Sequence, residues 1–148
     1  MATKILVIED DKGIADSVAY TLRQEGFETH TAYDGPTGLA EALSLKPDLV
    51  ILDLLLPGMD GFDVFRALRT LGRRGHRFEV VFLDPPYGMG LVGRTLEVLA
   101  TSGLLAPGAA VVAESSVREA VQVPAGYEVV RDRRYGDTRV QILIWRGT

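Results

Sequence analysis

The sequence predicts an α/β protein built on a largely parallel, doubly wound sheet. Short apolar, β-branched runs alternate with stretches whose apolar residues recur at helical spacing. Glycine or proline punctuates nearly every junction, and the chain closes on two alternating runs around Gly136-Asp137, the signature of a hairpin. Strand–helix alternation of this kind requires parallel pairing with right-handed crossovers, and helices on both faces of the sheet.

The elements follow in order. Lys4–Glu9 (KILVIE) reads as a buried strand, because an uninterrupted apolar run suits a strand covered on both faces. A helix over about 12–25 places Ile14, Val18 and Leu22 on one face and is closed by Gly26. Phe27–Ala32 is the second strand, and a helix near 36–46 presents Leu39 and Leu43 before Pro47 stops it. Asp48–Asp53 (DLVILD) is the third strand; Pro57-Gly58 turns the chain, and Asp60 caps a helix carrying Phe62, Phe65 and Leu68. Glu79–Leu83 is the fourth strand and Ala109–Ala113 the fifth, joined by a helix over about 90–102 with Val92, Leu96 and Leu99 inward. A short helix near 116–121 leads to strands at about 126–134 and 139–146.

Composition narrows the classes. With 148 residues, 47% hydrophobic and 24% charged, the chain can bury a core and falls outside the disordered class. No run approaches a membrane span and no secretory leader is recognisable, so no membrane association is expected. The absence of cysteine excludes disulfides and thiolate metal sites and fits a cytoplasmic setting. A formal net charge of −4 argues against a dedicated nucleic-acid binder. The charge is uneven: a net of −6 through Thr70 and +2 from Leu71 onward, with all three lysines (Lys4, Lys12, Lys46) in the first part. Chance in small counts or two segments of different origin would each explain the break. The basic stretch Thr70–Arg77 (TLGRRGHR) is the expected seam, too short to separate domains, so one domain is expected over 1–148.

Carboxylates gather at the carboxyl ends of the parallel strands. Glu9 and Asp10 follow the first strand and Asp53 ends the third, and such ends meet in a crevice. Three carboxylates there suit a hard cation such as Mg²⁺. "ILVIEDD" and "KPDLVILDLLLPGMDGFDVFRALR", at their separation, resemble the first three β/α units of a response-regulator receiver domain of the winged-helix output class. The resemblance covers residues 1 to about 70. It implies Asp53 as phosphoacceptor and Glu9, Asp10, Asp53 and the Leu55 carbonyl as metal ligands, with in-line phosphoryl transfer from a donor such as a histidine kinase. A receiver also ends its fourth strand on a hydroxyl residue and its fifth on lysine. Here Asp84 takes the first place and Glu114 falls at or beside the second, both of the wrong charge for a phosphate.

From about residue 71 the chain resembles instead the C-terminal half of class I methyltransferases acting on guanine N2 in 16S rRNA. "FEVVFLDPPYGMG" and "YEVVRDRRYGDTRVQILIWR" carry that match. The resemblance implies that Asp84 and Pro85 accept the protons of the amino group to be methylated while Tyr87 stacks on an extruded base. The family binds S-adenosylmethionine with a glycine-rich loop after its first strand, where this chain has Glu-Asp-Asp-Lys, so that cofactor is not expected.

The parent sheets imply a joined order 2-1-3-4-5-7-6 with strand seven antiparallel, a three-layer sandwich between the flavodoxin-like and Rossmann-like folds. The reading that follows is an engineered chimera, not an enzyme, with no complete active site. It would keep a vestigial phosphoacceptor at Asp53, a vestigial base-binding loop at Asp84, Pro85 and Tyr87, and a weak or vestigial Mg²⁺ site. Histidine kinase or rRNA would be partners by inheritance alone. His30 and His76 read as solvated, Arg131, Arg133 and Arg134 as the outer face of a hairpin, and Trp145 as core.

Overall fold

The computed structural model describes residues 2–52, 63, 66–83 and 90–147. These form two compact units, Met1–His76 and Arg77–Thr148. The fold is α/β, with a parallel sheet in the first unit and a mixed sheet in the second.

The first unit comprises β1 (Lys4–Ile8), α1 (Lys12–Gln24), β2 (Glu28–Ala32), α2 (Gly35–Leu45), β3 (Leu49–Leu52) and α3 (Arg69–Arg73). β1 lies between β2 and β3, parallel to both, in the registers Ile8↔Ala32 and Ile8↔Leu52. Its run of apolar residues is explained by burial on both sides. Ile5 and Val7 pack with Ala15, Val18 and Leu22 of α1, whereas Ile8 meets Gly38 of α2. The backbone extends the ladder beyond the strands, since Asp48 N–H donates to Lys4 O and Lys4 N–H donates to Asp48 Oδ2, both at 2.8 Å.

Helix α1 begins where Asp11 accepts a hydrogen bond from Ile14 N–H at 3.1 Å. It ends at Gly26, whose φ of +91° lets Phe27 N–H return to Leu22 O. Its inward face differs from the expected one: Ala15 and Ala19 are buried, Val18 and Leu22 flank them, and Ile14 is 53% exposed. Close approach of helix to strand selects the small residues for the centre of the contact. The same holds for α2, where Gly35, Gly38 and Ala42 are buried and Leu39 and Leu43 are half-buried. Of the residues expected in the following helix, Asp60, Phe62 and Phe65 lie outside the described residues, and Leu68 is buried before α3.

The second unit comprises β4 (Phe78–Leu83), α4 (Leu91–Ser102), β5 (Leu105–Ser116), β6 (Tyr127–Tyr135) and β7 (Thr138–Trp145). The sheet order is β4-β5-β7-β6, parallel between β4 and β5 and antiparallel elsewhere, as the sequence predicts for its second half. Among the described residues the ladders therefore form two sheets, carrying the orders 2-1-3 and 4-5-7-6. Strand β5 is far longer than the expected five residues. The predicted helix over 116–121 is a turn, because β5 runs on to Ser116 and the Ser116 hydroxyl then accepts Arg118 N–H at 3.2 Å. Gly136, at φ +62°, and Asp137 make the two-residue hairpin turn between the paired Tyr135 and Thr138.

One face of this sheet is closed by α4, with Val92, Leu96 and Leu99 buried together with Val111, Ala113 and Leu143. Tyr127 fastens the start of β6 to that helix: its hydroxyl donates to Leu96 O at 2.7 Å, and its ring lies 4.9 Å from that of Trp145. Trp145 is thus half-buried at the rim of the core. On β6, Arg131, Arg133 and Arg134 are exposed as expected. Arg134 stands directly opposite Arg139, and Asp132 relieves the like-charge pair by accepting both Arg139 Nε (2.9 Å) and the neighbouring guanidinium nitrogen.

Three outcomes follow. Gly38→Val would drive a Cβ to within 2.7–2.9 Å of three Ile8 side-chain atoms. It should cost about 2 kcal/mol in urea denaturation, the scale of an overpacked core. Tyr127→Phe should lose about 1 kcal/mol through its hydrogen bond. Burial raises the Tyr127 pKa, so the folded state resists ionisation that the unfolded chain accepts above pH 10.0. Stability therefore falls as pH rises past that point, and the Phe variant should lose this slope. Asp132 is held below its ordinary 3.8 by the Arg139 hydrogen bonds and then by the Arg139 and Arg134 charges. Its contribution is present above pH 3.8 and is lost as pH falls through the lowered value, so Asp132→Asn should flatten the acid limb of a stability–pH profile.

Candidate functional site

Glu9 and Asp10 emerge directly from the carboxyl end of β1, the central strand of the first sheet. Glu9 is half-buried and its N–H still donates to Ala32 O at 3.0 Å, which continues the β1–β2 ladder by one residue. Its carboxylate accepts from Asp11 N–H at 3.3 Å, so the acidic run folds back on itself at the strand end. Asp10 is exposed. The other predicted members of the site, Asp53, Leu55, Asp84, Pro85 and Tyr87, lie outside the described residues. Among the described residues no three acidic or histidine side chains assemble to hold an ion, and the candidate set needs Asp53 to reach three carboxylates.

Neighbouring carboxylates are committed to the fold. Asp11 caps α1, and Asp34 caps α2 through Thr37 N–H (2.7 Å) and the Thr37 hydroxyl (2.9 Å), which together hold its pKa below the usual carboxylate value. Asp48 accepts the Lys4 amide, and Asp16 accepts the Tyr33 hydroxyl at 2.6 Å. Glu9 and Asp10 follow directly on the carboxyl end of β1. A cation there would be held by oxygen donors alone, the donor type Mg²⁺ prefers.

In the second unit Glu114 stands near the end of β5, half-buried, opposite Val140. Gly90 is the first described residue after 84–89, and its N–H donates to Glu119 Oε1 at 2.9 Å. Glu119 thus holds the residue that precedes α4 from 29 residues away, a role no local spacing could have signalled. Gln122 lies against Gly93 one turn further on, so residues 119–122 run along α4 as a strap. The histidines depart from expectation. His30 Nε2 lies 2.9 Å from Glu28 Oε1 on the same strand face, and His76 is half-buried with its backbone N–H donating to Leu71 O.

The family described as response regulator receiver domain matches residues 5–84, and the family described as conserved hypothetical protein 95 matches residues 61–144. The sensory transduction protein RegX3 of Mycobacterium tuberculosis is 49% identical over 68 residues, which is 46% of this chain and 30% of RegX3. This chain therefore spans under a third of the length of that relative. The BeF3-activated receiver domain of RstA from Klebsiella pneumoniae shares 29% identity at a TM-score of 0.54, over 65% of this chain and 79% of that one. A protein described as a putative methylase from Haemophilus influenzae covers 98% of this chain and 74% of its own at a TM-score of 0.61, with 16% identity. At that identity the likeness concerns the fold.

These findings correct one expectation. The sequence suggests a non-enzyme; the family match over residues 61–144, together with a fold neighbour described as a putative methylase, counts against that expectation and points to an enzyme. No helix among the described residues is long and apolar enough to cross a membrane. The two matches overlap over 61–84, and the chain belongs to both the response regulator receiver domain family and the conserved hypothetical protein 95 family.

Proposed function

We propose that the chain is an engineered chimera of a receiver and a methyltransferase whose receiver side keeps a divalent-cation and phosphoacceptor pocket. The observation that carries this reading is the pair Glu9–Asp10 at the end of a fully buried central parallel strand, in a segment that belongs to the receiver family. Asp53 is the phosphoacceptor, with Glu9, Asp10 and the Leu55 carbonyl as its partners in holding Mg²⁺. The cation would neutralise charge on the incoming phosphoryl group. Asp84 and Glu114 place negative charge where a receiver offers a hydroxyl and a lysine, so phosphorylation should be slow and short-lived.

A second reading rests on a separate observation, the family match over 61–144. It is transfer of a methyl group from S-adenosylmethionine to a guanine N2, with Asp84 and Pro85 accepting the amino protons and Tyr87 stacking on the base. The acidic run after β1 would repel the cofactor's carboxylate, which favours the first reading.

The two readings separate experimentally. Excess Mg²⁺ should raise the melting temperature above that in EDTA, and Asp10→Asn should abolish the rise. Acetyl phosphate with Mg²⁺ should add one phosphoryl mass to the protein and none to Asp53→Asn. A melting temperature indifferent to Mg²⁺ but raised by S-adenosylmethionine would sink the first reading and establish the second.

A further inference from the structure

A parallel pair of strands leaves two faces to cover, and among the described residues the second unit covers only one with a helix. Paired residues share a face, so the ladders sort the side chains. Val111, Ala113 and Leu143 lie on the face closed by α4. Val80, Phe82, Val112, Ile142 and Ile144 lie on the other. A helix between β5 and β6 is the element expected to cover that second face. In its place the chain makes a turn at Ser116, and Glu119 and Gln122 then lie along α4, on the face already covered. Phe82 is 67% exposed, Val80 is 40% exposed, and Val112, Ile142 and Ile144 are half-buried. A contiguous apolar patch across three adjacent strands is uncommon on an isolated soluble chain.

We propose that this face is the contact surface between two copies of the chain. The charges bordering the patch identify a second copy as the occupant. One cross-strand row reads Phe82–Val112–Ile142–Arg131 from β4 to β6, and the next reads Glu114–Val140–Arg133. The cations therefore lie on the β6 side, while the aromatic ring and the anion lie on the β4–β5 side. A two-fold axis between the facing sheets, running along the strands, sets the β6 side of each copy over the β4–β5 side of the other. Arg131 then meets the Phe82 ring of the second copy, and Arg133 approaches its Glu114. The face thus carries its own complement. Sheets packed in this way bury their apolar rows at the centre with the charged residues at the rim.

Sedimentation velocity on the full chain over a range of concentrations tests this. The wild type should show a reversible monomer–dimer equilibrium. Phe82→Glu should weaken it about thirtyfold or more, the effect of removing a central aromatic anchor, with an unchanged urea midpoint at concentrations where both proteins are monomeric, because Phe82 is already exposed. Arg133→Glu should weaken it less, and adding Glu114→Arg should restore it. A wild type that stays monomeric throughout would overturn the proposal, as would a dimer indifferent to Phe82→Glu. Neither outcome bears on cation binding at Glu9 and Asp10, so this proposal and the pocket stand or fall separately.

Discussion

A parallel strand in the middle of a sheet must be covered on both faces, and that demand organises this molecule. In the first unit β1 meets it fully: alternate side chains go to α1 and α2, and Leu6, Val7 and Ile8 are essentially removed from water. Because the strand is locked between two parallel neighbours, the residues that follow it are delivered to a fixed place. Glu9 still belongs to the ladder through its bond to Ala32, and Asp11 opens the next helix. The acidic strand end is thus a product of the core beneath it. Gly38 makes this possible by letting α2 lie almost in contact with Ile8.

The second unit meets the same demand by different means. Helix α4 closes one face and is bound to the rest of the unit at successive turns: Glu119 at Gly90, Gln122 beside Gly93, Tyr127 at Leu96. Those attachments use the connection between β5 and β6 that would otherwise supply a helix for the opposite face. The exposed edge strand β6 carries three arginines and an irregularity in its register at Val130, both of which discourage further strand pairing at that edge. Association is left to the apolar face.

Much of this was legible in the sequence. The positions of β1, α1, β2, α2, β3, β4, α4 and the closing hairpin follow from apolar periodicity and from Gly26, Pro47 and Gly136 as punctuation. What periodicity missed has a common cause. Ile14 was read as core because it repeats with Val18 and Leu22, but a tight helix–strand contact favours Ala15 and Ala19. The expected helix after β5 gave way to strand continuation, a choice made by pairing with β7 rather than by local propensity. Glu119 could not be found as the partner of Gly90 because the two are remote in sequence. Of the candidate site, Glu9 and Asp10 lie at the strand end where the sequence placed them, while Asp53, Leu55, Asp84, Pro85 and Tyr87 fall outside the described residues. The family match over 61–144 also counts against the expectation that the chain is not an enzyme.

The central claim is that the retained chemistry belongs to the acidic strand end of the receiver segment. Titration calorimetry of the folded chain with Mg²⁺, followed on the same sample by S-adenosylmethionine, tests it most directly. The account predicts saturable Mg²⁺ heat that disappears in Asp10→Asn, and no saturable heat from S-adenosylmethionine. Saturable S-adenosylmethionine binding with no Mg²⁺ heat would contradict it.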